Sequence, residues 1–181
     1  TNETIAVKIN LNNCTSRTEV GNDIDATPQM VLGLLRQLVH NGGVPEARIV
    51  VYDAVRIIPD RIYNRCNAEF PGVVFAQGGA GGGRVGTTWQ ANAFTYSTNN
   101  SACGNSLPTY VYQATYLINM AMLKGHSAGG VTLCAKNHYG SINARDHTNY
   151  INAGAHPMGR YSPYVDMIGS RHLGAKTILY I

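Results

Sequence analysis

Charge is scarce in this sequence: Asp, Glu, Lys and Arg make up 13% of 181 residues, and the formal net charge is +4 at pH 7. Without a basic tract, or aromatics interleaved with arginine, the chain lacks the electrostatic footprint of a nucleic-acid binder. It also lacks any apolar run approaching the roughly 18 residues that a membrane-spanning helix needs. Cysteine is sparse. Cys14, Cys66, Cys103 and Cys134 stand far apart, which excludes zinc-ribbon, thioredoxin and iron–sulfur spacings. Four buried thiols and two disulfides both remain open, and at least one disulfide is expected.

Nor does the chain begin with Met or show a signal sequence. Its richness in Asn, Thr, Ser, Gly and Tyr points to a secreted or periplasmic protein, with formal glycosylation sequons at Asn2, Asn13 and Asn99 that matter only in a glycosylating host. The mild positive balance fits small anions better than polymers.

What is present is an alternation of strand and helix patterns. Ile5 to Leu11 reads as a strand. Thr27-Pro28 reads as a helix N-cap and first turn, followed by an apolar face of Met30, Leu34, Leu35, Leu38 and Val39 that ends at Asn41-Gly-Gly43. Arg48 to Asp53 is a continuous apolar run, as in a strand buried on both faces. Pro59 to Phe70 reads as a helix and Pro71 to Phe75 as a short strand. The glycine run Gly78 to Gly86 has no Gly-Lys-Ser/Thr ending, so it reads as a flexible segment or a loop over the pocket rather than a phosphate loop. Residues 76–108 read as a loop or hairpin insertion.

Tyr116 to Leu123 then predicts a buried strand, Val131 to His138 a helix, Tyr164 to Leu173 a helix, and Ala175 to Ile181 a strand of central type. These patterns make one α/β domain over residues 1–181, with a mostly parallel sheet and helices on both faces in three layers. The apolar strand that stops at Ile181 leads us to expect truncation at the C-terminus.

In open α/β sheets ligands bind at the carboxyl ends of the strands. Lys8 and Asn10, Asp53 and Arg56, and Lys124 and His126 follow or end three apolar strands, so they are expected to converge at one sheet edge. Asp53 there is placed to ligate a metal or orient a base, or, in the commoner use of such a residue, to act as a structural cap. Ser127, Gly129 and Gly130 lead into the predicted helix, whose N-terminal amides would attract an anion. The candidate anion ligands are therefore Ser127, Gly129, Gly130, Thr132, Asn137, Lys8 and Asn10, flanked by Lys124 and Lys136. If the site is catalytic, His126 carries the proton, because histidine titrates near neutral pH, while Lys124 and Lys136 stabilise negative charge or hold a cofactor. The histidines of the second half, His126, His138, His147 and His156, have no close helical spacing. They read as exposed loop residues, with the metal unidentified and a divalent ion compatible.

The segment Asn119 to Gly140 carries Leu123-Lys-x-His126, Gly130-Val-Thr-Leu133 and Lys136-Asn-x-x-Gly140. It resembles the signature of the domain-of-unknown-function family numbered 362, with weaker matches at Val7-Lys-Ile-Asn10, Thr27-Pro28 and Val51-Tyr-Asp-Ala54. The resemblance implies an α/β domain whose biochemical role is unassigned. More distantly, His126-x-x-Gly129 followed by Lys136 is similar to lactate-racemase-type nickel-pincer enzymes, which implies a lysine that carries the cofactor and a histidine that moves a proton.

Three functional classes follow: a metal- or cofactor-dependent enzyme acting on a small anionic compound, an anion-binding module without chemistry, and a secreted structural or assembly protein without catalytic activity. A small anionic ligand and a homo-oligomer or larger assembly are the partners compatible with them.

Overall fold

The computed structural model describes residues 2–12, 14–19, 25–97, 104–126, 130–143 and 162–181. In chain order its elements are β1 (Ile5–Ile9), α1 (Pro28–Arg36), β2 (Ile49–Tyr52), α2 (Asp60–Asn67), β3 (Val74–Gln77), β4 (Val85–Gly86), β5 (Trp89–Gln90), β6 (Leu107–Pro108), α3 (Thr109–Gln113), β7 (Tyr116–Met120), β8 (Lys124–His126), β9 (Gly130–Thr132), α4 (Cys134–Asn137), α5 (Pro163–Gly169) and β10 (Thr177–Tyr180).

A six-stranded sheet in the order β10-β7-β1-β2-β3-β4 is parallel at every pairing. Alternation along the strands divides the core. Val7, Ile9, Ile49, Val51 and Ile118 face a layer built from Val31, Leu35, Ile62 and Cys66 of α1 and α2. Ala6, Tyr52 and Leu117 face the opposite layer, with Val111 of α3 and Tyr164 and Met167 of α5. The fold is thus three-layer α/β, as the pattern of elements requires.

Local chemistry accounts for the secure elements. The Thr27 hydroxyl accepts the Met30 N–H at 3.3 Å and caps α1, and Pro28 supplies a helical φ without an amide that would go unused. The buried face is Val31, Leu32 and Leu35, however, and Met30 is exposed. In the first turn the apolar stripe begins one residue later than the periodicity predicts.

Three further expectations change. The third central strand stops at Met120, with Leu123 exposed beyond it. Val131 and Thr132 are extended and pair with Gly125 and Lys124 in the β8–β9 hairpin, so helix begins only at Cys134. The last strand is an edge strand, not a central one, with Ile178, Leu179 and Tyr180 exposed. The short antiparallel pair β5–β6 lies within residues 76–108. Cys14, Cys66 and Cys134 are free thiols, so no disulfide forms among the described residues, and Cys103 lies outside them. No helix among the described residues is long and apolar enough to cross a membrane.

Candidate functional site

The register of the central strands sets Lys8 of β1 beside Tyr52 of β2 on one flank and Asn119 of β7 on the other. Residues in register on parallel strands share a face, so three polar side chains form a row at the carboxyl ends of otherwise apolar strands. All three are at most 1% exposed. Burial at that level is tolerated only when every polar atom finds a partner, and the segment Asn137 to Ser141 supplies several of them, with Asp53 and the Ile9 and Cys134 carbonyls supplying others.

The Lys8 ammonium donates to Asp53 Oδ2 at 3.0 Å, to Asn137 Oδ1 at 3.1 Å and to the Ile9 carbonyl at 2.5 Å. Burial pulls its pKa down while the adjacent Asp53 carboxylate pushes it back up, and the balance is a lowering. The other oxygen of Asp53 accepts the Val55 and Arg56 amides, both at 3.2 Å. Both oxygens of the carboxylate are therefore engaged. Gly140 closes over this pair: a Cβ there would lie 2.7 and 2.8 Å from the two Asp53 oxygens and 2.8 Å from Lys8 Cε. Only a residue without a side chain lets the backbone approach so closely, and the Gly140 carbonyl accepts the Ala54 amide at 2.9 Å.

Behind the pair runs a chain of carboxamides. Asn137 Nδ2 donates to Asn119 Oδ1 at 2.8 Å and to the Met120 carbonyl at 3.2 Å. Asn119 Nδ2 donates to the Cys134 carbonyl at 2.9 Å and lies 3.0 Å from His138 Nε2. The backbone carbonyls fix both amide orientations, because only the nitrogen of a carboxamide can donate to them. His138 Nε2 must then accept, which leaves the imidazole proton on Nδ1, 3.4 Å from Ser141 Oγ. Ser141 in turn lies 2.9 Å from the Tyr52 hydroxyl. His138 is wholly buried rather than exposed in a loop. Burial, then the Lys8 charge, depress its pKa to about 3.

In front of Lys8 opens a small cleft of about 40 Å³, lined by Lys8, Asn10, Asn12, Asp53, Val55, Arg56, Lys124, Thr132, Lys136, Asn137, Tyr139 and Gly140. Of the expected residues, Lys8, Asn10, Asp53, Arg56, Lys124, Lys136, Asn137, Thr132 meet there. Lys124 Nζ reaches Asn10 Oδ1 at 3.4 Å. The Thr132 hydroxyl donates to the Met122 and Lys124 carbonyls at 3.0 and 3.2 Å, so it fastens the hairpin. His126 stands on β8, partly exposed and outside the cleft lining. Burial, Lys136 and Lys124 lower its pKa. Gly130 opens β9 with φ +70° instead of starting a helix, which removes the helix N-terminus expected there. Ser127, Gly129, His147 and His156 lie outside the described residues. The glycine run does not line this cleft. It turns back on itself through the Gly81–Arg84 bridge.

Lys136 sits on α4, half-buried. Burial and the neighbouring Lys124 charge lower its pKa to about 8. Of the described residues lining the cleft, four are lysine or arginine and Asp53 is the one carboxylate. Lys8 neutralises Asp53, so Arg56, Lys124 and Lys136 give the cleft a positive field. No group of three His, Cys, Asp or Glu among the described residues is placed to hold a metal ion.

Sequence reasoning had reached Lys8 and Asp53 but not Asn119, His138, Ser141 or Tyr52. A polar residue inside the apolar run Tyr116 to Met120 was the available signal for Asn119.

The profile of a family described as Domain of unknown function (DUF362) matches residues 5–170. No curated protein and no solved structure matches the chain, and the likeness to lactate-racemase-type enzymes finds no support in these comparisons.

Proposed function

The chain belongs to the DUF362 family, and we propose that it binds a small anionic compound in the cleft between β1, β2 and the β8–β9 hairpin. The observation that carries this reading is the excess of cations over carboxylates where the strands end. Asp53 is held by Lys8 and by two backbone amides, so it does not offset Arg56, Lys124 and Lys136. Half-buried cations hold an anion more strongly than exposed ones, because water screens them less. Asn10 and Asn12 line the same cleft and add neutral hydrogen-bonding groups that orient the ligand.

Calorimetric titration with inorganic phosphate and with small carboxylates tests the reading. A hydrogen bond to a charged group contributes about 1.5–3 kcal/mol, so Lys124→Ala should weaken binding roughly tenfold or more. Affinity should also fall with rising salt. Absence of saturable binding for every small anion tried would sink the proposal.

A second reading, structural assembly without catalysis, draws on β10. This edge strand exposes Ile178, Leu179 and Tyr180, and an uncovered apolar edge is a template for pairing, here with a second copy of the chain. Light scattering on wild type and Leu179→Lys separates the two: assembly that the lysine abolishes favours the second reading, and a monomer at all concentrations removes it. The secreted or periplasmic location expected from composition accompanies this reading, and cell fractionation tests it.

A further inference from the structure

We propose that Lys136 is an amine nucleophile that condenses with the carbonyl carbon of a small anionic carbonyl compound whose anionic group lies against Lys124 and Arg56. The inference rests on the anion-binding reading and adds the substrate class.

The geometry separates the cleft's amines into two kinds. Lys8 is spent: its ammonium donates to Asp53, Asn137 and the Ile9 carbonyl, so all three of its N–H donors are committed. Lys136 faces the same cleft from α4 and has a different neighbour. Burial lowers its pKa, and the charge acting on it is that of Lys124, a cation, which adds to the effect. A desolvated lysine next to a second cation is the arrangement that frees an amine for attack on carbonyls. With its pKa brought down to about 8, roughly a tenth of the amine is neutral at pH 7, a few hundredfold more than for an ordinary lysine.

Two further features suit a carbonyl compound. The three cations let Arg56 and Lys124 hold an anionic group while Lys136 acts, and Asn10 and Asn12 supply amide donors for the carbonyl oxygen. An anion that settles against Lys124 offsets part of the charge that lowers the Lys136 pKa, so burial, the larger cause, is what keeps the amine partly neutral in the complex.

The step balances without an oxidant or reductant. The neutral Lys136 nitrogen forms a bond to the carbonyl carbon, and the C=O π pair moves to oxygen, which takes a proton. The nitrogen loses a proton, its lone pair then forms C=N, and the protonated hydroxyl leaves as water. The C=N formed is a protonated imine, and loss of its remaining N–H proton to water gives the imine on Lys136, with one water released overall.

The test incubates the full chain at neutral pH with pyruvate or, separately, glycolaldehyde phosphate. Sodium borohydride then reduces any imine, and intact mass and peptide mapping follow. The expected result is one adduct on Lys136, enriched about a hundredfold over exposed lysines, lost in Lys136→Arg and suppressed by inorganic phosphate. The preferred probe distinguishes a carboxylate from a phosphate ligand. Adducts spread evenly over the lysines, or none while phosphate still binds by calorimetry, would overturn the nucleophile and leave the anion site standing. Neither adduct nor anion binding would overturn both. Mapping on the wild-type protein decides the matter even if Lys136→Arg fails to fold.

Discussion

Asn119 presents its carboxamide nitrogen to His138 Nε2 at 3.0 Å, with the same nitrogen donating to the Cys134 carbonyl. This pairing gives the buried row a direction. From Lys8 through Asn137 and Asn119 to His138, each group donates to the next, and the chain ends near Ser141 and Tyr52. Such a chain has one self-consistent proton arrangement, which makes the orientation of Asn137, and so the wall of the cleft, a property of the core.

The first prediction is spectroscopic. His138 should be the Nδ1–H tautomer and stay neutral across the ordinary pH range, since protonating Nε2 would set two donors face to face. Nitrogen-15 chemical shifts of the imidazole report the tautomer directly. An Nε2–H signal, or titration near the usual histidine pKa, would refute the arrangement.

Stability against pH follows from the same residue. The folded pKa of about 3 lies below the unfolded value near 6.5, so between these pH values the unfolded chain binds the extra proton. Stability is then full above pH ~6.5 and lost as pH falls, with a limiting slope of about 1.4 kcal/mol per pH unit from this group. Urea unfolding at several pH values should show that slope in the wild type and a shallower one in His138→Gln.

The Lys8–Asp53 pair yields a third prediction. Removing one member of a buried pair strands the other, at a cost of about 3–5 kcal/mol. Asp53→Asn should therefore destabilise the fold severely at neutral pH. The Lys8 pKa is already lowered by burial and falls further without its carboxylate, so the folded variant sheds a proton that the unfolded chain keeps, and its stability should rise with pH. Lys8→Met combined with Asp53→Asn should recover part of the loss. Chemical denaturation of both variants at pH 7 and pH 9 checks the sign, and an Asp53→Asn protein as stable as wild type would show that the pair carries no such weight.

How far the sequence revealed this arrangement depends on the range of the information. The strand β2 is legible because burial on both faces leaves an uninterrupted apolar run, β1 because apolar and polar residues alternate towards its end, β7 because its run is apolar save for Asn119, and α1 because Thr27 and Pro28 announce its start. The carboxyl-edge rule brings Lys8, Asn10, Asp53 and Lys124 together, and it includes His126, which stands outside the cleft lining. The β8–β9 hairpin was misread as a helix start because Val131 to His138 is too short for periodicity to separate two extended residues from one helical turn. His138 was misread because its burial depends on Asn119, nineteen positions earlier, and no local pattern encodes that partnership. The edge position of β10 was equally hidden, since strand order is a tertiary fact.

His126 supplies the last prediction. It stands on β8, outside the cleft lining, yet its pKa is lowered first by burial and then by Lys136 and Lys124. A histidine in that position reports on the charge of the cleft without belonging to it. An anion bound against the two lysines offsets their positive field, so the imidazolium becomes easier to form and the His126 pKa should rise. Removing a cation by Lys136→Ala should move it the same way, and phosphate should then shift it less than in the wild type. Proton NMR titration of the His126 ring, with and without phosphate, measures all three. A downward shift, or none while calorimetry registers binding, would place the bound anion away from Lys124 and Lys136 and so move the site elsewhere on the molecule.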